Sequence, residues 1–156
     1  MKRVRIPTAR EIMQSKLHTV SPDADLEEAV RSLLAQKHSA APVVDATGKL
    51  VGVLSEDDCV SVLAQAAAER WQTGRVADRM SSEVETVGPH EDIFALSTRF
   101  CRGQHHRLLV VEDGKLVGLI STRDLLRALE GILRDLAREP HKGTYDAIER
   151  RHIELD

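Results

Sequence analysis

The chain of 156 residues carries 22 Lys and Arg against 25 Asp and Glu, a formal net charge of -3, and only one Trp, one Tyr and two Phe. Its 42% hydrophobic and 30% charged residues are ordinary for a globular protein and exclude a chain that is disordered throughout. Without a basic surplus or aromatic platforms, the composition argues against a nucleic-acid-binding protein.

The amino end and the cysteines indicate where the protein works. The basic residues near the start (Lys2, Arg3 and Arg5) are not followed by an apolar run, so we expect neither a signal peptide nor a membrane span. Cys59 and Cys101 are too few for a disulfide framework, and both fall on predicted apolar helix faces, where cysteine packs as a small hydrophobe. We therefore expect a reduced, cytoplasmic protein.

The first predicted elements are a short extended segment, Thr19-Val20, and a helix. Asp25 is a suitable N-cap, and Glu28 three positions later completes a capping-box pattern. The apolar residues that follow have the spacing of one helix face: Leu26, Ala29, Val30, Leu33 and Leu34.

Two apolar runs, 42–44 and 50–54, come next and flank the turn at 45–49. Such a pattern predicts a β-hairpin, and its continuous apolar character indicates that both faces of the sheet are covered. A second helix follows, and a connector at 67–74 carries Trp71.

The same elements then recur. Thr86-Val87 follows Thr19-Val20 by 67 positions, and Gly114-Lys115-Leu116-Val117-Gly118 follows Gly48-Lys49-Leu50-Val51-Gly52 by 66. Asp92 is the predicted N-cap of the next helix, whose apolar face consists of Ile93, Leu96, Phe100 and Cys101. The order of these matches indicates a duplicated unit, with repeats at 7–66 and 75–136 and a tail at 137–156.

The last helix has an apolar stripe that outlasts the repeat. Its members share helical spacing: Leu125, Leu126, Leu129, Ile132, Leu133 and Leu136. Because this face is larger than one repeat can cover, we expect it to form a homodimer or to contact an effector protein.

Taken in order and twice over, these motifs (Thr-Val-x-Pro, Pro-Val-Val-Asp, Gly-Lys-Leu-Val-Gly and Ser-x-x-Asp) resemble the cystathionine-β-synthase (CBS) domain family. The resemblance implies an α/β (α+β) fold of tandem β-α-β-β-α repeats about a pseudo-twofold axis, a stand-alone Bateman module of bacterial type. It also implies a homodimer with two clefts that bind an adenosyl nucleotide such as AMP, ATP or S-adenosylmethionine. The nucleotide would be a regulatory ligand, with no obligatory cofactor.

The family resemblance assigns the cleft residues by position. Ser55 and Asp58 in the first repeat, and Ser121 and Asp124 in the second, match the hydroxyl and carboxylate that hold ribose and phosphate. The edge strand and the adenine wall correspond to Thr19, Val20, Ala41, Pro42, Thr86 and Val87. At the position of Pro42 the second copy has Leu109, a departure from the family pattern.

The two clefts are not expected to be equal. Glu56 and Asp57 beside Asp58 would repel a phosphate at the first cleft. At the second, Thr122 and Arg123 suit a phosphate, Arg107 adds positive charge, and the adjacent Leu108 is a candidate ligand contact. We therefore predict that the second cleft binds the nucleotide and that the first is weak, empty or selective for a less charged ligand.

Structural interpretations of the same residues remain open. Ser-x-x-Asp before an apolar helix is also a capping box, and an arginine such as Arg123 commonly lies in solvent. Cys101 with His105 and His106 suggests a metal site, but no fourth ligand is evident. The motifs of nucleophilic hydrolases, P-loop proteins and metalloproteases are absent, so we do not expect an enzyme. A structural dimerisation module without ligand is the alternative to a nucleotide sensor.

Overall fold

The computed structural model describes residues 4–103 and 106–138. The first repeat contains α1 (Ala9–Ile12), α2 (Leu26–Gln36), β1 (Ala40–Val44), β2 (Leu50–Ser55) and α3 (Glu56–Glu69). The second contains a short 3-10 helix (Val76–Asp78), β3 (Thr86–Val87), α4 (Ile93–Arg102), β4 (Arg107–Glu112), β5 (Lys115–Ser121) and α5 (Thr122–Ala137). The predicted α/β fold of β-α-β-β-α repeats is confirmed, with Val20 forming a single bridge where the second repeat has β3.

The predicted helix starts are confirmed by their hydrogen bonds. The Asp25 carboxylate accepts from the backbone N–H of Glu28 at 3.2 Å. The Asp92 carboxylate accepts from the N–H groups of Phe94 and Ala95, both at 2.9 Å. Each bond satisfies an N–H that the first helical turn leaves without a partner, which explains why α2 and α4 begin where they do.

Both predicted hairpins form, and each joins a parallel neighbour. β1 pairs antiparallel with β2, and β4 pairs antiparallel with β5. β3 then pairs in parallel with β4, just as Val20 bridges in parallel to Val43. The duplication in sequence is therefore also a duplication of strand pairing.

The sheet of each repeat is extended by a short segment that precedes the sheet of the other repeat. Gln14, ahead of the first repeat's sheet, exchanges backbone hydrogen bonds with Leu119 of β5 at 2.9 and 3.0 Å. Ser81, ahead of β3, does the same with Val53 of β2 at 2.9 Å in both directions. We call residues 13–14 and 80–81 the two leading segments. Through them, neither sheet is built from one repeat alone.

Two glycines permit this close approach. A Cβ at Gly52 would lie 2.7 Å from the Ser81 carbonyl oxygen and 2.8 Å from the sulfur of Met80. A Cβ at Gly118 would likewise collide with the side chain of Met13. The second glycine of each Gly-Lys-Leu-Val-Gly motif is thus required because the leading segment of the opposite repeat packs against it.

Two apolar clusters form the core, each built mainly from one repeat, although Val76 of the second repeat belongs to the first cluster and Ala9 of the first repeat belongs to the second. Leu26, Leu33 and Leu54 are among the buried side chains of the first cluster, and Ile93 and Leu96 of the second. Two sequence predictions were wrong here. Leu34 and Cys101 are exposed, because each stands at the flank of its helix rather than on the buried face.

The last helix has one buried and one exposed apolar side. Leu125 is buried, and Leu129 and Ile132 pack against the second core cluster. Leu126 and Leu133, by contrast, are 62% and 67% exposed. The surplus apolar face predicted for α5 is therefore present. Neither α5 nor any other helix within the described residues has the length and apolarity to cross a membrane.

Candidate functional site

A cavity of about 500 Å³ lies between the repeats, and we call it the first cleft. The first repeat contributes β1, the end of β2 and the start of α3, and the second contributes its leading segment and the facing ends of β4 and β5. Its lining residues are Ser39, Ala40, Ala41, Pro42, Val53, Ser55, Asp57, Asp58, Ser81, Glu83, Val84, Glu85, His106, Arg107, Leu109 and Leu119.

Asp58 is the carboxylate at the helix end of this cleft. Its Oδ2 accepts from the backbone N–H of Ser55 at 3.0 Å, and its own N–H donates to the Ser55 hydroxyl at 3.1 Å. The capping box is therefore formed. It uses one carboxylate oxygen, and within residues 4–103 and 106–138 no hydrogen bond reaches Oδ1. Asp58 thus caps α3 and, as a residue that lines the cavity, retains a second carboxylate oxygen for another donor.

Asp124, its counterpart in the second repeat, is engaged at both oxygens. Its Oδ2 accepts from the N–H and the hydroxyl of Ser121 at 2.9 and 2.8 Å. The side-chain amide of Gln14 donates to Oδ1 at 3.2 Å and to Oδ2 at 3.1 Å. Only 7% of the residue is exposed. We call the surroundings of Asp124 the second cleft. Its carboxylate is thus occupied by the side chain of Gln14 from the first leading segment.

These bonds act on the ionisation of Asp124. Burial disfavours the charged form, but the hydrogen bonds from Ser121 and Gln14 outweigh it, and the nearby Arg127 adds a smaller attraction. The pKa of Asp124 is consequently held below its usual value. The carboxylate remains charged and committed to the fold at neutral pH.

The structure gathers five of the predicted site residues in the first cleft and places the others elsewhere. The five are Ala41, Pro42, Ser55, Asp58 and Arg107. The predicted residues that do not line this cavity are Thr19, Val20, Thr86, Val87, Leu108, Ser121, Thr122, Arg123 and Asp124.

Arg107 requires a correction, because we expected it beside Asp124. Residues alternate between the faces of β4, so Arg107 and Leu109 face the first repeat while Leu108 packs in the second core cluster. Leu108 is 1% exposed and cannot contact a ligand there.

Other predicted contacts have structural roles. Val20 and Val87 belong to the two core clusters and are buried. Thr122 donates through its hydroxyl to the backbone carbonyl of His106 at 3.3 Å. Arg123 is exposed and has no ion-pair partner among the described residues. The interpretation of Arg123 as a solvated arginine fits this geometry better than a cleft position does.

The sequence analysis did not predict that the stretch from the second leading segment to β3 forms a wall of the cleft. Ser81, Glu83 and Val84 line the cavity, yet they precede the strand to which the predicted site residues Thr86 and Val87 belong. The repeat itself contains the signal, since Ser81 follows Gln14 by 67 positions. That alignment pairs the small side chain at the open cleft with the long one at the closed cleft.

The first cleft is acidic. Asp57, Asp58 and Glu83 line it together with Glu85, whose carboxylate is paired with Arg99 at 3.3 Å. Within the part of the chain that the structure describes, Arg107 is the one lining arginine and no lysine lines the cavity. Of the two carboxylates predicted beside Asp58, Asp57 lines the cavity and Glu56 does not, and Glu83 and Glu85 of the second repeat are added to them.

The metal interpretation gains no geometric support. His105 lies outside the described residues, and Cys101 is exposed. Across 4–103 and 106–138, the side chains of His, Cys, Asp and Glu do not form a group of three or more that could hold a metal ion.

Among curated proteins, the chain is similar to an uncharacterised protein of Methanocaldococcus jannaschii, MJ1225, and to the gamma-3 subunit of 5′-AMP-activated protein kinase of Sus scrofa. The first is 28% identical over 77% of this chain and the second 31% identical over 72%. The matched regions are 42% and 23% of the relatives' lengths, so the chain corresponds to less than half of either.

Solved structures extend the comparison. The structure of CBSX2 in complex with AMP is 27% identical, has a TM-score of 0.71, and is matched over 81% of this chain and 98% of that one. The family profile described as CBS domain matches residues 9–65 and again 76–131, which together are most of the chain. With its tandem β-α-β-β-α repeats, the chain therefore belongs to the CBS domain family, as a CBS pair.

Proposed function

We propose that this protein is a regulatory module that binds an adenosyl ligand in the first cleft and reports its presence to a partner. The observation that carries the proposal is the free Oδ1 of Asp58, at the edge of a cavity shared by both repeats. A carboxylate oxygen at such a place is a suitable acceptor for a ribose hydroxyl.

The size and lining of the cavity support this assignment. A volume of about 500 Å³ lies within the range of small-molecule sites. Pro42 and Leu109 provide apolar surface of the kind that an adenine ring contacts, while Ala41 lies behind them at 0% exposure. Because both repeats contribute, a bound ligand would bridge them, and its binding energy would favour one relative arrangement of the repeats.

Similarity to other CBS pairs supports the ligand class. CBSX2 has been solved in complex with AMP, and the gamma-3 subunit belongs to a kinase named for its activation by 5′-AMP. The chain shares the fold of the first over most of its length and is 31% identical to part of the second. An adenosyl ligand is the proposal that these relatives make most reasonable.

We assign the ligand to the first cleft rather than to the second, which the sequence alone favoured. Asp124 is bonded to Gln14 at both oxygens, and a ribose would have to displace that amide. Arg107, the cation expected to assist the second cleft, lines the first. The proposal therefore predicts one ligand per chain.

Calorimetric titration with adenosine, AMP, ATP and S-adenosylmethionine, with guanosine as the base control, tests the proposal. Asp58→Asn should weaken the binding of adenosine by about 10-fold or more, because it removes a charge-assisted hydrogen bond. Asp124→Asn changes the matched residue outside the cavity and should leave the affinity unchanged. Binding that is lost with Asp124→Asn and kept with Asp58→Asn would reverse the assignment.

A second candidate role is that of a dimerisation module, and the exposed leucines of α5 favour it. Leu126, Leu133 and Leu136 remain exposed on a helix whose other side is packed against the core. We propose that this face joins two copies and could transmit a change in the angle between repeats to an effector protein. Sedimentation of the Leu133→Lys variant beside the unmodified protein tests the dimer. We expect the variant to be a monomer, and a variant with the same mass as the unmodified protein would exclude this face as the dimer interface.

A further inference from the structure

The charges around the first cleft suggest more than the presence of a site. We infer that this cleft selects adenosyl ligands whose 5′ substituent is neutral or positively charged, such as a thioether or a sulfonium, over those with a phosphate chain. This inference rests on the proposed function and specifies its ligand. The balance of charge, the end of helix α3 and the size of the cavity each favour such a selection.

The balance of charge is unfavourable to a phosphate. Among the described lining residues, the carboxylates of Asp57, Asp58 and Glu83 stand against the single guanidinium of Arg107 and the imidazole of His106. Glu85 is already paired with Arg99, so it is left out of this balance. A 5′-monophosphate would bring about two further negative charges within a few ångströms of these carboxylates, where salt screens the repulsion only weakly. A sulfonium would instead be attracted.

The end of helix α3 does not compensate for this repulsion. A helix N-terminus favours an anion because its first N–H groups lack partners. In α3, however, the first turn already carries Glu56, Asp57 and Asp58. These carboxylates supply the negative charge that the helix end attracts. In α5, Asp124 is the sole acidic residue of the first turn, and Arg123 stands at the position of Asp57.

The dimensions of the cavity leave no position far from these groups. A sphere of about 500 Å³ has a radius of about 5 Å, which is shorter than the Debye length of about 8 Å at physiological salt. If the ribose hydroxyls bind Asp58, the 5′ substituent lies closer to Asp57 or Glu83 than the Debye length, so salt screens their interaction only weakly. Selection by charge therefore does not require a particular ligand orientation.

The test compares adenosine, 5′-methylthioadenosine, S-adenosylmethionine, AMP and ATP by calorimetry with the full chain. We expect the three ligands without phosphate to bind at least 10-fold more tightly than AMP, and ATP to bind more weakly still. Raising the salt concentration should narrow the gap between AMP and adenosine, because screening weakens repulsion.

Asp57→Arg is the decisive variant, and the chain itself shows that the position accepts arginine, since Arg123 occupies it in the second repeat. The affinity ratio of AMP to adenosine should rise about 10-fold or more, and Glu83→Gln should raise it in the same direction. Glu69→Arg is the matched control: it makes the same change in charge at the other end of α3, about 18 Å away at 1.5 Å per residue, and should leave the ratio unchanged.

The outcomes separate this inference from the function on which it rests. If AMP binds as tightly as adenosine or more tightly, the inference of selection by charge is wrong, whereas the proposed adenosyl site remains supported. If none of the five ligands binds, the proposed function fails and the inference fails with it. If Glu69→Arg raises the ratio as much as Asp57→Arg, net charge rather than the cleft governs the preference and the inference is wrong.

Discussion

The side-chain amide of Gln14 donates to both carboxylate oxygens of Asp124, at 3.2 and 3.1 Å. Ser81, which occupies the equivalent position in the other leading segment, does not reach Asp58; its hydroxyl donates to the backbone carbonyl of Glu83 at 3.4 Å. A single difference in side-chain length thus separates a closed cleft from an open one, although the backbone pairing at both places is the same.

Exchanging these two side chains should exchange the properties of the clefts. Gln14→Ser frees Oδ1 of Asp124, so we expect the stoichiometry of adenosyl binding to rise from one to two per chain. Ser81→Gln places an amide near Asp58 and should weaken binding at the first cleft by about 10-fold or more. Calorimetric stoichiometry measures both. A Gln14→Ser protein that still binds one ligand per chain would show that Gln14 does not control the second cleft.

The hydrogen bonds of Asp124 predict a stability that depends on pH. Its pKa is lower in the folded chain than in the unfolded one, so its contribution is complete above about pH 5 and is lost as the pH falls through the folded pKa. Asp124→Ala should lower the free energy of unfolding by about 2 kcal/mol at pH 7. Urea denaturation from pH 7 to pH 3 should show the difference shrinking below about pH 4. A difference that is constant over this range would contradict the depressed pKa.

Gly52 should be intolerant of any side chain. Its missing Cβ leaves room for the Ser81 carbonyl oxygen at 2.7 Å, and this neighbour is backbone that cannot rotate away. Gly52→Ala should therefore destabilise the protein by about 1–3 kcal/mol.

Gly131 provides the control for this substitution. It lies within α5 with open space around its Cβ position, so Gly131→Ala should stabilise the protein by about 0.5–1 kcal/mol. Thermal or urea unfolding measures both variants. If the two substitutions changed the free energy of unfolding equally, the second leading segment would not be in close contact with β2.

The two cysteines should differ sharply in reactivity. Burial raises the pKa of the Cys59 thiol, and the carboxylates of Asp58 and Glu56 raise it further. Cys101 is exposed. A thiol reagent should therefore modify Cys101 rapidly and Cys59 only when the protein unfolds. Labelling of Cys101→Ser and Cys59→Ala separates the two thiols, and rapid labelling of Cys101→Ser in the folded state would contradict the burial of Cys59.

The fold could be predicted from sequence to a large extent because its signals are local and occur twice. Asp25 and Asp92 cap the predicted helices, and both hairpins form where the apolar runs placed them. Burial at the flanks of helices could not be predicted, because the spacing of apolar residues indicates which face of a helix is buried but not how wide the buried face is. Leu34 and Cys101 lie just beyond that width.

The clefts were harder to predict than the fold, since they depend on contacts between distant parts of the chain. The Ser-x-x-Asp motif located both carboxylates correctly, and their capping role is confirmed. Which carboxylate is free, however, depends on Gln14, which is 110 positions away from Asp124. Arg107 was assigned to its own repeat, whereas strand alternation directs it toward the other. Sequence motifs therefore identified the groups but not their neighbours.

The crossed leading segments also bear on how such a chain arose. Gln14 precedes the first repeat but pairs with β5, and Ser81 precedes the second but pairs with β2. A primordial protein of one repeat could not have supplied this pairing to itself, because its leading segment belongs on another copy. Two such molecules would have had to associate by exchanging these segments. In this chain a covalent connection joins the two partners of the exchange, so Gln14 and Ser81 can differ while the backbone pairing at both places stays the same.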